Sequence, residues 1–188
     1  MKSFANLTFS LILMLAAASL PARSDTDFTP VVSGLDEPWG IDLLPDGGLL
    51  ITEKDGRVLL WREGATTTLK GAPKVADGGQ GGLLDVTVAR DFETSRTVFF
   101  SYSKPQRGGA GTTLASARLS EDRTRLEGFK DVCEMARGSS GGRHFGSRVV
   151  EGSDGTLFMT IGDRGDRPEA QNGGAHTGSI IRVNRDGS

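Results

Sequence analysis

Past residue 24, short apolar runs rich in β-branched and aromatic residues alternate with Gly, Asp and Pro, and helical periodicity is weak throughout. Such runs, bounded by turn formers, predict β-strands. Three segments share one plan: an apolar strand, a turn containing Asp, then a second apolar strand. The first is Gly40 to Leu44, turning at Asp46-Gly47 into Leu49 to Thr52. The second is Leu84 to Val88, passing Asp91 into Thr97 to Ser101, and the third is Arg148 to Val150, turning at Asp154-Gly155 into Thr156 to Ile161. A third strand is predicted in each unit, over Arg57–Trp61, Thr112–Leu119 and Ser179–Val183.

Ile41, Val86 and Val149 hold the same place in the three units, 45 and 63 residues apart, the longer gap fitting a loop insertion. Periods near 45 residues built of successive antiparallel strands predict an all-β fold, a β-propeller, with about three blades of an incomplete ring. A β-sandwich also supplies short strands, but it does not explain why one module returns three times. In a propeller the first strand of each blade lies nearest the central channel. The entry segments Pro38-Trp39-Gly40, Gly79 to Gly82 and Arg143 to Gly146 are then expected to converge at one mouth of it. The loops Glu53–Gly56, Ser103–Gly111 and Gly162–Thr177 are expected at the same face, and the Asp turns at the other.

The N-terminus departs from this pattern. Lys2 precedes a short apolar stretch, Leu7 to Leu20, followed by small and polar residues, which predicts a secretory signal peptide over residues 1–24 and a mature domain over 25–188. The expected location is periplasmic or secreted. Removing residues 1–24 takes Lys2 and Arg23 and no acid, leaving 20 basic against 24 acidic side chains. Without a basic block, nucleic acid is not an expected partner. No later apolar run approaches the roughly 20 residues that a membrane span needs. The single Cys133 forms no internal disulfide framework and is expected to be structural. The 27 glycines have no three-residue period, which excludes collagen.

The repeat puts both histidines, His144 and His176, at the channel face. An imidazole there can take a proton from a substrate hydroxyl, and it can equally do no more than hydrogen-bond backbone. Gln80 offers a donor and an acceptor suited to sugar hydroxyls. Other signals point away from alternative chemistry. Gly108 to Thr113 lacks the lysine of a phosphate loop, and no Gly-x-Ser-x-Gly elbow occurs. One cysteine and two separated histidines have no zinc spacing. Asp163, Asp166 and Glu169 lack the spacing of an EF-hand and read as solvated charge. Arg164-Gly165-Asp166 reads as part of a long loop.

At these positions the sequence resembles the soluble, pyrroloquinoline quinone (PQQ)-dependent aldose sugar dehydrogenases, the glucose/sorbosone dehydrogenase family. The matching stretches are Gly34-Leu35 through Pro38-Trp39-Gly40, Gln80 to Asp85 with Asp91-Phe92, His144 to Arg148, Thr160 to Asp163, and His176-Thr177-Gly178 running into Ile181 to Ser188. The resemblance implies a six-bladed propeller with PQQ lying flat over the channel and Ca²⁺ helping to bind and polarise it. It implies His144 as the catalytic base for the C1 hydroxyl of an aldose, also in contact with the cofactor, while hydride passes from C1 to the quinone. Gln80 and Arg143 become the expected substrate contacts and Trp39 a cofactor contact. The electron acceptor is left open.

Two departures qualify the match. Glucose-preferring members carry an acid where this chain has Arg143, so their preference does not transfer, and an arginine there suits another hydrogen-bond pattern or an acidic sugar. Ser188 falls roughly halfway through the family fold. No metal ligand is therefore assigned, because Ca²⁺ ligands and the groups holding the quinone carboxylates are expected from the other half, and the chain alone is expected to be inactive. The alternative reading is a non-catalytic propeller that binds glycans or proteins. A calcium-dependent lactone hydrolase is a weaker one.

Overall fold

The computed structural model describes residues 28–188; the expected signal peptide lies outside the described residues. Among the described residues eleven strands form three antiparallel sheets. The first contains β1 (Pro38–Leu43), β2 (Leu49–Glu53), β3 (Val58–Arg62) and β4 (Ala65–Leu69), in that order. The second contains β5 (Leu83–Val88), β6 (Thr97–Gln106), β7 (Gly109–Leu119) and β8 (Leu126–Glu134), also in sequence order. The third has β9 (Gly146–Glu151), β10 (Leu157–Ile161) and β11 (Ile180–Val183). First strands pack side by side, β1 on β5 and β5 on β9. The all-β expectation holds: the chain is an arc of a β-propeller, with two four-stranded blades and three strands of a third.

The turns follow from their residues. Asp46-Gly47 and Asp154-Gly155 close the same turn, with Gly47 at φ 84° and Gly155 at φ 82°, a region that costs glycine nothing. In each, the aspartate accepts a backbone N–H two residues on, from Gly48 and from Thr156. The second blade departs from the plan. A single helical turn, α1 (Phe92–Ser95), replaces the Asp turn and buries Phe92 against the core shared by the first two blades.

Two further differences have one physical cause. The predicted loop Ser103–Gly111 is ladder: β6 and β7 continue to a tight hairpin, with Gln106 opposite Gly109. The outer strands β4 and β8 also escape the apolar pattern, because they are largely solvent-facing. Where a ladder carries polar side chains, hydrophobic periodicity disappears while the backbone pairing persists. Lys104 on β6, bonded to Asp131 and Glu134 on β8, marks such a stretch.

A repeated device joins the blades. In each, a hydroxyl on the second strand accepts the N–H of a first-strand residue: Gly40 to Thr52, Asp85 to Ser101, Arg148 to Thr160. Thr52 then donates to the Leu84 carbonyl of the next blade (2.5 Å) and Ser101 to that of Ser147 (2.6 Å). The equivalence of Ile41, Val86 and Val149, read from sequence, is thus reproduced by hydrogen bonding. Carboxylates add a second tie, since Asp42 accepts Val88 N–H and Asp85 accepts Val149 N–H, both at 2.7 Å. Apolar faces fill the gaps: Leu50, Leu60, Val86 and Phe100 between the first two blades, and Phe99, Leu114, Leu157 and Met159 between the second and third. At the two ends of the arc, Ile41 and Leu43, and Val150, Phe158 and Ile180, are exposed. Cys133 is half-buried at the edge of the second core, where burial raises its thiol pKa and disfavours the thiolate.

The turn at Asp154 yields a pH prediction. The Thr156 hydroxyl and N–H, then Arg182, pull its carboxyl from 3.8 down to about 2. A depressed carboxyl stabilises fully above the unfolded value and loses that effect as pH falls through the folded one. The melting temperature of wild type is therefore expected to exceed that of Asp154→Asn at pH 5, and the gap to close as pH approaches 2.

Candidate active site

The site is built where the first strands begin. Each of the three has a register irregularity at the same place, between Pro38 and Ile41, between Leu83 and Val86, and at the Gly146 end of β9. Bulges of this kind bend the strand and re-aim what precedes it. Before β9 the backbone is unusual: His144, Gly146 and Ser147 all have positive φ, at 53°, 75° and 106°. A non-glycine residue persists in that region only when its surroundings hold it there.

The surroundings are specific. Gln80 N–H donates to the Gly142 carbonyl and Gln80 Oε1 accepts His144 N–H, both at 2.7 Å. The expected pairing of Gln80 with His144, 64 residues apart, is therefore direct. With Oε1 occupied by backbone, the Gln80 group left to bond a ligand is its amide NH₂. Behind His144, the Phe145 carbonyl accepts the buried Thr112 hydroxyl at 2.7 Å. Gly162 passes so close that a Cβ there would collide with the His144 carbonyl, which explains the glycine before Asp163.

His144 Nδ1 lies 2.5 Å from Asp163 Oδ1. Asp163 also accepts Gly165 N–H, and that backbone bond first, then the contact with His144, keeps its carboxyl below the usual range. An ionised carboxylate only accepts, so Nδ1 carries the proton and Nε2 has the free lone pair. The ring is half exposed. The pair is thus an oriented imidazole able to take a proton at Nε2. Asp163 is thus not the solvated charge that its loop predicts, because nothing in a polar loop separates a buttressing carboxylate from a solvated one except the Gly-Asp step that follows β10.

Arg143 is exposed, rests its guanidinium over Gly165 and forms no ion pair among the described residues. Trp39 is half exposed at the start of β1, and no hydrogen bond ties it to Gln80, Arg143 or His144 among the described residues. His176 is not brought to this group. Its Nδ1 accepts Ala136 N–H at 3.2 Å, and it precedes β11 by a turn rather than starting the strand. It lines a separate cavity of about 630 Å³ with Ser139, Asp166 and Glu169. Arg164 is buried, so Arg164-Gly165-Asp166 is no exposed tripeptide. Among the described residues no group of three or more His, Cys, Asp or Glu side chains gathers to hold a metal ion, and none is assigned one.

Fold and site together define a propeller protein with an aspartate-oriented histidine just before the first strand of its third blade. The family model described as "Glucose / Sorbosone dehydrogenase" matches residues 35–188, and the chain belongs to that family. It is 36% identical over 180 residues to the aldose sugar dehydrogenase YliI of Escherichia coli K12, covering 94% of this chain and 48% of that one. A solved glucose dehydrogenase superposes with a TM-score of 0.79 at 40% identity, over 82% of this chain and 50% of its own. The PQQ-bound aldose sugar dehydrogenase of Streptomyces coelicolor does so with a TM-score of 0.75 at 26% identity, over 84% and 47%. The chain spans about half the length of these relatives.

Proposed function

We propose that the protein containing this chain is a quinoprotein sugar dehydrogenase that oxidises the C1 hydroxyl of an aldose to the lactone, acting in the periplasm or outside the cell. The observation that carries this is the His144–Asp163 pair, with its free Nε2 at the mouth of the arc. The residues present fit their share of a PQQ site: the exposed Trp39 indole offers an apolar face to a flat ring system. Bound there, PQQ supplies the two-electron acceptor for the C1 hydrogen.

The rest is the work of the chain. His144 Nε2 accepts the proton of the C1 hydroxyl, and Asp163 stabilises the imidazolium that results. Gln80 fixes His144 through its backbone N–H and turns its amide NH₂ toward the sugar. Arg143, next to the base, contacts the substrate and selects against the hydrogen-bond pattern that an acid at this position would favour. Ca²⁺ is proposed as a second cofactor with ligands outside the described residues.

The test is to supply the full-length protein with PQQ and Ca²⁺ and follow reduction of an artificial dye across a panel of aldoses. Aldose-dependent reduction is expected. Silence of the full-length protein across the panel would overturn the proposal.

A further inference from the structure

Given His144 as the base, the geometry points to Arg164 as the residue that positions it, an assignment that rests on that reading. Arg164 is 4% exposed and has no carboxylate partner among the described residues. A buried cation left without an acid is costly, so its other contacts must hold it there. They fall on both neighbours of His144. One guanidinium nitrogen, Nη1, donates to the Arg143 carbonyl, immediately before the histidine. The guanidinium carbon lies 3.4 Å from the centroid of the Phe145 ring, immediately after it. The other nitrogen, Nη2, donates to the Ala110 carbonyl on β7 at 3.2 Å, anchoring the assembly to the second blade. Nε has no partner.

Arg164 also follows Asp163 directly. Consecutive residues of one loop therefore grip the histidine at two levels, Asp163 its ring and Arg164 its two neighbours, through the Arg143 carbonyl and the Phe145 ring. His144 needs such a grip because its φ of 53° is one that a histidine seldom holds unaided. Lysine at 164 would keep the charge but cannot bond two carbonyls in one plane while stacking on a ring. What Arg164 sets is where Nε2 points, and its position in the chain next to Asp163 makes ring and backbone restraint a single unit.

The test uses full-length protein labelled with ¹⁵N-histidine, the His144 resonances being those lost in His144→Gln. Wild type is expected to show His144 protonated at Nδ1, with a slowly exchanging proton. Arg164→Met and Arg164→Lys are expected to lose that proton and shift His144 toward the mixed tautomers of a free imidazole. In dye assays kcat should fall roughly 10²-fold while KM changes little. Phe145→Leu, which keeps apolar bulk but removes the ring, is expected to weaken the same signal, and it provides the readout where an Arg164 variant does not fold. An unchanged His144 signal in a folded Arg164 variant, or in Phe145→Leu if those variants are unfolded, overturns the assignment. The nuclear signal needs neither PQQ nor sugar, so failure of the dehydrogenase reading shows separately, as absent dye reduction with the His144 signal intact.

Discussion

In the full-length protein, His144→Ala is expected to lower aldose-dependent dye reduction by roughly 10² to 10⁴, the usual worth of a positioned general base. The loss should lie in kcat, because on the proposed reading Gln80 and Arg143 remain to contact the sugar. Asp163→Asn should also lose rate while leaving the fold intact. An amide can still hydrogen-bond the ring, but it carries no charge to stabilise an imidazolium and can donate to Nδ1, driving the proton onto Nε2 where the lone pair is needed. Retained activity in His144→Ala would remove the histidine from the mechanism.

The second large effect is on stability. Asp85→Ala should cost about 1–3 kcal/mol in urea unfolding of the full-length protein, because it strips the buried Val149 N–H of its acceptor. Asp85 is 4% exposed, and it also takes Arg148 Nη1 at 3.0 Å, tying the second blade to the third. Asp85→Asn, which keeps one carbonyl oxygen for Val149, should cost less. Burial raises the Asp85 carboxyl above its ordinary 3.8, against the opposing pull of Val149 N–H and Arg148. A raised carboxyl means that the folded state binds the proton more tightly, so its contribution declines as pH rises through 3.8 toward the folded value. The deficit of Asp85→Asn relative to wild type should accordingly shrink over that window. A deficit that grows would show that the ionised form is the stabilising one.

How much of this was legible beforehand differs by residue. Gln80 and His144 could be paired from the repeat alone, because strand order fixes which segments enter the channel and the two lie at equivalent entries. Asp163 and Arg164 could not. Charged residues in a glycine-rich loop carry the same sequence signal whether they face water or a neighbour, and only the return of that loop across His144 distinguishes the two. His176 shows the converse, a histidine whose place near the channel face proved too coarse a guide, because its ring turns to Ala136 instead.

From sequence alone came the β class, the repeated module and its register, since alternation, β-branching and Asp-Gly turns are local properties that strands and turns express wherever they lie. The extension of β6 and β7, the helical turn at Phe92 and the outer strands were decided by tertiary structure, because backbone ladders and neighbouring blades hold them where side-chain pattern is silent. The same is true of the chemistry. Sequence supplied an imidazole at the channel mouth, but which nitrogen carries its proton was decided by a carboxylate 19 residues away. A dipeptide cannot specify that contact; it exists only once the blades are stacked and the loop after β10 is folded back over the entry to β9.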